Sequence, residues 1–375
     1  MIYLDYSATT KTDKRVMRCF NEVNEHYFAN PNSNHKLGVL AQKVIDEATS
    51  NIKKTLGITE HDLIYTSSAT EANNLAIKGS VSKLEGRHIV TTKFEHSSVI
   101  AAINYLVRDG YSVSFVSSSN EGVISFSDLE ALIREDTALI SISAVNSEIG
   151  IIQPVFEIGR LLKKKYPNIV YHVDLTQYLT KLPVDFSNID LATFSAHKFY
   201  GIKGIACLVK RRNLLLEPQI HGGKSTTVYR AGTPATALIA SLDEALVLAY
   251  EDREIKYERC LVLNKYLKNK LKQIQNIHIN SNEHCLPHIV NFSIVGANSN
   301  EIQQKLSDVD VYISTKTACS NGSDVSQAVF SLTNDLDIAK SSLRVSLSHL
   351  TTEEEIDIFI EKLLQIVGGS GDEVN

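Results

Sequence analysis

Residues 169–174 (IVYHVD) and residues 189–198 (IDLATFSAHK) are the stretches that decide the fold of this chain. Each begins with a short apolar run rich in β-branched and aromatic residues, which is typical of a buried β-strand. Asp174 ends the first run, and Lys198 follows the second. Ligands of open α/β sheets bind outside the carboxyl ends of the strands. The two stretches therefore predict that an acid and an amine face one crevice.

The sequence before these stretches alternates short strands with helices. Further β-rich runs occur at residues 63–66, 88–91, 113–116 and 138–142. Helical patterns lie between the runs, among them residues 98–108 and 155–165. This alternation favours an α/β fold with a mainly parallel sheet that helices cover.

The C-terminal part of the chain has a different pattern. A long helical pattern runs from Pro234 to about Gln275. Strands are then predicted at residues 289–294 and 343–347, and a helix at residues 351–367. This mixture indicates a smaller α+β domain. We predict a large domain over residues 16–249 and a small domain formed by residues 1–15 with residues 250–375.

Composition and charge exclude several classes of protein. The chain has 375 residues and a net charge of −5, with an isoelectric point near 6.2. No direct nucleic-acid ligand is therefore expected. The first residues lack the basic region and cleavage site of a signal peptide, and no apolar run is long enough to cross a membrane. We expect a cytoplasmic protein without a membrane partner.

The five cysteines favour neither a disulfide framework nor a zinc site, because they are widely spaced and form no C-x-x-C pair. Cys207 and Cys260 lie in apolar runs and are predicted to be buried. Cys319 differs, because it lies in the polar stretch of residues 314–323 (STKTACSNGS), which is typical of an exposed loop.

An acid and a lysine facing one crevice are the pair that pyridoxal 5′-phosphate (PLP) requires. The lysine holds the cofactor aldehyde as a Schiff base, and the acid keeps the pyridine nitrogen protonated. Asp174 and Lys198 could play these parts. They are equally consistent with a strand-end acid and a solvated surface lysine.

Two polar segments that follow predicted strands could also bind a cofactor. Thr70, in residues 66–74 (TSSATEANN), could hold a phosphate at a helix N-terminus. Alternatively, Ser67 or Thr70 could merely cap that helix. His96, in residues 94–98 (FEHSS), could stack on a cofactor ring or move protons, although a lone histidine is more often structural.

Two further segments are equally ambiguous when each is taken alone. Residues 145–150 (VNSEIG) follow a predicted strand and could face the same crevice, or they could form a tight turn that ends at Gly150. Thr233, in residues 229–234 (YRAGTP), could cap the long helix or donate a hydroxyl to a phosphate.

In sequence order, the motifs resemble those of the NifS/IscS-like cysteine desulfurases, in the class V aminotransferase branch of the PLP enzymes. The matching segments are residues 3–10 (YLDYSATT), 30–35 (NPNSNH), 69–74 (ATEANN), 95–96 (EH), 148–150 (EIG), 172–177 (HVDLTQ), 195–204 (SAHKFYGIKG), 230–233 (RAGT), 318–320 (ACS) and 343–346 (LRVS). They cover nearly the whole chain. The resemblance implies fold type I of the PLP-dependent aminotransferases: a mainly parallel sheet covered by helices, plus a smaller α+β domain.

The resemblance also implies cofactor-binding roles. Lys198 would be the Schiff-base lysine, Asp174 would pair with the pyridine nitrogen, and Gln177 would contact the ring oxygen. His96 would stack on the ring and take part in catalysis. The phosphate would be bound by Thr70, Ser195 and His197. The remaining cofactor contacts would come from Ala69, Ser147, Ala196 and, reaching the phosphate of the neighbouring subunit in a homodimer, Thr233.

The implied reaction converts L-cysteine to L-alanine. Asn30 and Arg344 would bind the substrate, Arg344 by a two-pronged bond to the carboxylate. Cys319 would be the nucleophile and would carry the persulfide to a sulfur-acceptor protein, either an iron–sulfur scaffold or a tRNA-thiolation enzyme. Two alternatives are another PLP-dependent lyase of sulfur or selenium amino acids, and a catalytically weak paralogue that acts as a binding scaffold.

The chain departs from the family pattern at four places. Ser147 replaces an asparagine that contacts the ring oxygen, and its shorter side chain could lose that hydrogen bond or make it through a water. Leu175 replaces an alanine under the ring, and its extra bulk could tilt the cofactor or simply repack. The glycine-rich run continues differently at residues 224–227 (KSTT). Lys316 and Thr317 replace Gly and Ser before Ala318-Cys319, and the charge of Lys316 could favour the Cys319 thiolate.

Overall fold

We describe a computed structural model of the chain, in which residues 1–223, 225–315 and 325–369 are described. Its strands are β1 (Ile2–Tyr3), β2 (His61–Thr66), β3 (His88–Thr92), β4 (Ser112–Val116), β5 (Thr137–Ser143), β6 (Val170–Asp174), β7 (Leu191–Ser195), β8 (Ala206–Arg211), β9 (Ile277–Ile279), β10 (Ile289–Ile294), β11 (Val311–Tyr312) and β12 (Ser342–Ser346).

Helices precede, separate and follow these strands. They are α1 (Lys14–His26), α2 (Lys36–Leu56), α3 (Ala69–Val81), α4 (Ser97–Arg108), α5 (Phe126–Ala131), α6 (Val155–Lys165), α7 (Thr236–Tyr250), α8 (Arg253–Leu271), α9 (Ser299–Asp308), α10 (Gln327–Thr333), α11 (Leu336–Lys340) and α12 (Glu353–Gly369). Among the described residues, no helix is both long and apolar enough to cross a bilayer.

The largest sheet of the described residues has seven strands in the order β2-β8-β7-β6-β5-β3-β4. The strand β8 runs antiparallel to both of its neighbours, and the other pairs are parallel. Every residue of β3, β5, β6 and β7 is buried. Burial of both faces is what helices on either side of a parallel sheet produce, so the predicted α/β architecture is confirmed.

Strand register brings the candidate site residues to one edge. In the β5–β6–β7 ladder, Ser143 pairs with Asp174, which pairs with Thr193. The strand β7 ends at Ser195, directly before a 3₁₀ turn over Ala196–Lys198. Because β5, β6 and β7 are parallel, their carboxyl ends meet at this edge.

The C-terminal part forms two further, smaller sheets within the described residues. One is antiparallel with the order β12-β10-β9, and the other pairs β1 with β11 in parallel. Leu4 packs in one apolar cluster with residues from α8, β10, β12 and α12, such as Phe292 and Phe359. The N-terminal segment therefore packs with the C-terminal part, although the domain boundaries given above stay a prediction.

The long helical pattern from Pro234 to Gln275 is two helices, α7 and α8, so the expectation of one helix is wrong. The break falls at Asp252, whose φ of 51° is left-handed and does not continue an α-helix. The helix α7 begins after Ala235 with no side-chain cap, so Thr233 does not cap it.

Candidate active site

A cavity of about 220 Å³ opens at the carboxyl edge of the seven-stranded sheet. It is bounded by the N-terminal segment, the starts of α3 and α4, the ends of β5 and β6, the 3₁₀ turn and β12. The lining residues are Ser7, Ala8, Ser68, Ala69, Thr70, Phe94, His96, Ser143, Val145, Ser147, Asp174, Thr176, Gln177, His197, Lys198 and Arg344. Sequence positions far apart therefore meet in one place.

A tight turn after β7 carries Lys198 into the cavity. The backbone N–H of Gly201 donates to the carbonyl of Ala196 at 2.9 Å and closes the turn. A Cβ at Gly201 would lie 2.6 Å from the Ala196 Cβ, so only glycine fits. The Lys198 amine donates to the carbonyls of Ser7 at 2.6 Å and Ala8 at 2.9 Å. These bonds fix the amine beside the N-terminal segment.

Asp174 is the last residue of β6 and is only 6% exposed. Its carboxylate accepts hydrogen bonds from the Thr176 backbone N–H at 2.9 Å and from the Asn73 side-chain amide at 2.8 Å. Both donors are neutral groups. An incoming cation or N–H donor on the cavity side would therefore meet a buried negative charge, which is the environment that keeps a pyridine nitrogen protonated.

Asn73 is a site residue that the sequence analysis missed. Its amide donates both to Asp174 and, at 2.9 Å, to the hydroxyl of Ser98, which lies 2.8 Å from the Nδ1 of His96. Asn73 thus connects the acid with the histidine. The sequence did contain an indication of this role, because Asn73 lies three residues after Thr70 and therefore shares its side of α3.

His96 caps α4, since its Nδ1 accepts the backbone N–H of Ser98 at 3.2 Å. Burial lowers the pKa of His96 and outweighs the attraction of the nearby Asp174 charge. The imidazole is therefore neutral at neutral pH, and its ring is available to contact a flat aromatic group without adding charge.

Glu95 ties the ends of β3 and β5 together behind the cavity. Its carboxyl group accepts from the Thr92 hydroxyl at 2.6 Å, from the Ser143 N–H at 3.0 Å and from the Ser143 hydroxyl at 2.6 Å. Desolvation raises the pKa of Glu95 from 4.5 to about 7.

This raised pKa predicts a pH-dependent stability. Between about pH 4.5 and 7 the unfolded chain loses the Glu95 proton before the folded protein does, so the contribution of Glu95 to the free energy of unfolding falls as pH rises, by on the order of 3 kcal/mol. Glu95→Gln mimics the protonated form, and we expect it to remove this decline. Urea unfolding of both proteins at several pH values measures it. An unchanged slope in Glu95→Gln would contradict the assignment.

Arg344 lies on β12, is 2% exposed, and reaches the cavity. Its Nη2 forms an ion pair with Asp5 at 2.8 Å, and its Nη1 donates to the Ser147 carbonyl at 3.0 Å. Its Nε is buried and has no hydrogen-bond partner among the described residues. A buried donor without a partner is costly, so Nε is suited to an anionic ligand.

Most of the predicted phosphate-side residues surround the start of α3. Ala69 and Thr70 line the cavity, and Ser68, which accepts the Glu71 N–H, caps the helix. The expectation that Ser67 or Thr70 is the cap is therefore wrong. His197 also lines the cavity, and burial lowers its pKa to about 4.

Several predicted residues do not line this cavity. Ser195 and Ala196 are buried beside it, and the Ser195 hydroxyl donates to the Ile205 carbonyl at 3.4 Å. Asn30 is exposed, and its side chain accepts the Asn32 N–H. Thr233 lines a separate cavity of about 80 Å³.

Two departures from the family pattern have clear positions. The side chain of Leu175 is fully buried and does not line the cavity, whereas Ser147 does. Leu175 belongs to the main apolar cluster, which includes Ile142 of β5, Val173 of β6 and Phe194 of β7. Gln177 lines the cavity and donates its amide to the Ser7 carbonyl at 2.8 Å. Cys319 and Lys316 lie outside the described residues.

The model of the class V aminotransferases matches residues 2–359 of the chain. The chain belongs to the class V aminotransferase family. It is 39% identical over 380 residues to the cysteine desulfurase IscS of Proteus mirabilis (strain HI4320), a match that covers 98% of this chain and 93% of that protein.

Solved structures agree with the family assignment. A NifS-like protein superimposes with a TM-score of 0.92 at 32% identity, covering 98% of this chain and 99% of the other. SspA in complex with cysteine superimposes with a TM-score of 0.81 at 30% identity, covering 94% and 100%. Class V aminotransferases are PLP-dependent.

The donor set of the cavity fits PLP. It combines a lysine amine, a buried carboxylate, a neutral imidazole and the N-terminus of α3, which is a ready anion site. Each polar part of the cofactor therefore finds a group of the required type among the lining residues. The sequence-based assignment of PLP as the cofactor is confirmed.

Proposed function

We propose that the chain is a PLP-dependent cysteine desulfurase that converts L-cysteine to L-alanine and leaves a persulfide on Cys319. The observation that carries the proposal is the meeting of Lys198, Asp174 and Arg344 around one cavity. The resemblance to the IscS desulfurases over 98% of the chain supports it.

Each lining group has a task toward the cofactor. Lys198 would hold the aldehyde covalently, Asp174 would face the ring nitrogen, and His96 would cover the ring. The phosphate would be held by Thr70 at the α3 N-terminus, together with His197 and with Ser195, which is buried beside the cavity. When bound, PLP supplies an electron sink that makes the Cα–H bond of an amino acid acidic.

The substrate would be oriented by Arg344. Its unpartnered Nε and the adjacent Nη2 form an edge that receives a carboxylate by two hydrogen bonds. The same guanidinium is held by Asp5 and by the Ser147 carbonyl, so its plane is fixed before substrate arrives. A fixed guanidinium places the substrate Cα near the Lys198 amine, which would then accept the Cα proton.

The sulfur step would belong to Cys319. Its thiolate attacks the substrate sulfur, the new S–S bond forms as the Cβ–S bond breaks, and Cβ keeps the electron pair and takes up a proton. L-cysteine and the Cys319 thiol thus become L-alanine and a Cys319 persulfide, with no other reactant.

The wider setting follows the same proposal. Thr233, which lines a separate cavity, would reach the cofactor phosphate of a second subunit in a homodimer. The persulfide would pass to a sulfur-acceptor protein of iron–sulfur assembly or tRNA thiolation in the cytoplasm.

Replacing Cys319 with serine tests the sulfur step. We expect Cys319→Ser to bind PLP normally but to lose sulfide release from L-cysteine with dithiothreitol, by about a thousandfold or more, because a hydroxyl is a far weaker nucleophile. Cys19→Ser is the matched control, since Cys19 is a partly exposed thiol outside the cavity. Full sulfide release by Cys319→Ser would indicate a lyase without a persulfide step.

A further inference from the structure

A second, larger cavity of about 460 Å³ adjoins the first. The two share Ser7, Gln177 and Lys198 and otherwise have different linings. The second cavity is bounded by the segment before α1, by α7, and by the chain around His288 and His349. Its volume lies within the range of small-molecule sites, which is about 300–1,000 Å³.

Two residues of this lining, Lys181 and His288, each carry a buried nitrogen atom without a hydrogen-bond partner among the described residues. The Lys181 amine and the Nδ1 of His288 are inaccessible to solvent and make no hydrogen bond to any described residue. Buried polar atoms are almost always hydrogen-bonded, and a buried ammonium is more costly still. Two such atoms in one cavity indicate that a ligand supplies the missing partner.

The other titratable groups of the lining are mostly basic. Lys256 and His349 belong to the lining, although burial lowers the pKa of His349 to about 4 and leaves it neutral, and Lys11, Lys14 and Arg15 are exposed at the rim. Among the described lining residues the single carboxylate is that of Asp13, and Arg15 already binds it at 2.9 Å. Such an excess of positive charge attracts anions to the entrance.

Burial shifts the basic groups of the interior toward their neutral forms. Burial, and then the nearby Lys198, lower the pKa of Lys181 to about 7. Burial, Lys181 and His349 lower the pKa of His288 well below its usual range. The thiol of Cys260, near Lys181, is neutral because burial raises its pKa to about 12.

The remaining walls are apolar. Ala245, Leu248 and Ala249 of α7 form one side, and Ile289 and Leu347 form another, each of them buried. A ligand that fills this space needs an apolar part as well as a negative end, because apolar walls gain from being covered by carbon rather than water.

We propose that this cavity binds a small organic carboxylate, with its charged end at Lys181 and His288 and its aliphatic part against α7. The carboxylate accepts the hydrogen bonds that these two nitrogen atoms lack. The site adjoins the proposed substrate site and shares Ser7, Gln177 and Lys198 with it, but its anion-binding groups differ from Arg344, the proposed carboxylate-binding group there.

Calorimetric titration of the PLP-loaded protein with hexanoate tests the proposal. We expect hexanoate to bind. The uncharged hexanamide and inorganic phosphate should each bind at least about tenfold more weakly than hexanoate, because hexanamide lacks the negative charge and phosphate lacks the apolar part. Lys181→Met should weaken hexanoate binding by about tenfold or more. Lys268→Met is the matched control, since Lys268 is a partly buried lysine outside both cavities.

Proton uptake gives a second readout that needs no variant. At about pH 8 the Lys181 amine is largely neutral, and a bound carboxylate would raise its pKa again. Titrations in two buffers of different ionisation enthalpy should therefore show uptake of close to one proton per hexanoate bound.

Three results would overturn the proposal. One is the absence of hexanoate binding. Another is binding that survives Lys181→Met but is lost in Arg344→Met, which would place the anion in the substrate site. The third is phosphate binding as tight as that of hexanoate, which would show that the apolar walls do not select the ligand.

Discussion

Lys198→Ala should lose the visible absorbance of lysine-linked PLP and should lower alanine formation from L-cysteine by roughly 10⁴-fold or more. Lys198 is the lysine whose amine lines the cavity that also contains Asp174 and His96. Its amine is held by two carbonyls of the N-terminal segment, and among the described residues no other lysine lines this cavity. Visible spectra, recorded after the protein has been loaded with PLP and the excess has been removed by dialysis, measure the first effect. A chromatographic alanine assay measures the second.

Lys203→Ala is the matched control for this prediction. Lys203 belongs to the same loop after β7, but it is exposed and does not line the cavity. It should therefore keep both the absorbance and the turnover. Retained absorbance in Lys198→Ala, or its loss in Lys203→Ala alone, would show that the catalytic lysine has been assigned to the wrong residue.

Asp174→Asn should leave PLP bound to Lys198 but lower turnover on the order of a hundredfold or more. The amide keeps the shape of the carboxyl group and removes the negative charge that would stabilise a protonated ring nitrogen. The fold can tolerate the change, because the Oδ1 of Asn73 is buried without a partner among the described residues. A rotation of the Asn73 amide would let this oxygen accept the new N–H.

Asp190→Asn provides a contrast with Asp174→Asn. Asp190 is also a buried aspartate, but it precedes β7 at the opposite edge of the sheet and binds Arg211 at 2.8 Å. Its replacement should lower stability, because a charge partner is lost, and leave the turnover of the folded protein unchanged. Alanine formation and urea unfolding separate the two effects. Normal turnover by Asp174→Asn would contradict its role at the ring nitrogen.

The placement of Asp174 and Lys198 at one cavity could be predicted from the sequence for a simple physical reason. Both follow apolar strands, and parallel strands bring their carboxyl ends to one edge. The position of Thr70 could be predicted similarly, because a strand followed by a polar helix start places the helix N-terminus at that edge. These arguments need only local patterns and the rules of sheet topology.

Other parts of the site depend on contacts between distant segments, which local patterns do not contain. Asn73 lies in a helix that looks ordinary, and its role appears only when Asp174 and Ser98 are brought against it. Asp5 reaches Arg344 because the N-terminal segment packs with the C-terminal part. The break at Asp252 was missed because residues 251–254 (EDRE) contain no glycine or proline, which are the residues that usually mark a break between helices.

The residues in which this chain departs from its family affect the site unequally. Leu175 lies in the main apolar cluster, so its extra volume is accommodated by packing away from the cavity. Ser147 remains at the cavity and has its carbonyl bonded to Arg344. Of these two departures, Ser147 is the one whose side chain could change contacts with a ring oxygen.

The proposed reaction moves sulfur from L-cysteine to Cys319. It is measured most directly by mixing the PLP-loaded protein with L-cysteine in the absence of reductant. The alanine formed is then quantified, and the peptide that contains Cys319 is examined by mass spectrometry. We expect one alanine for each additional sulfur atom found on Cys319. Alanine without any sulfur on Cys319, or no alanine from a protein with normal PLP absorbance, would contradict it.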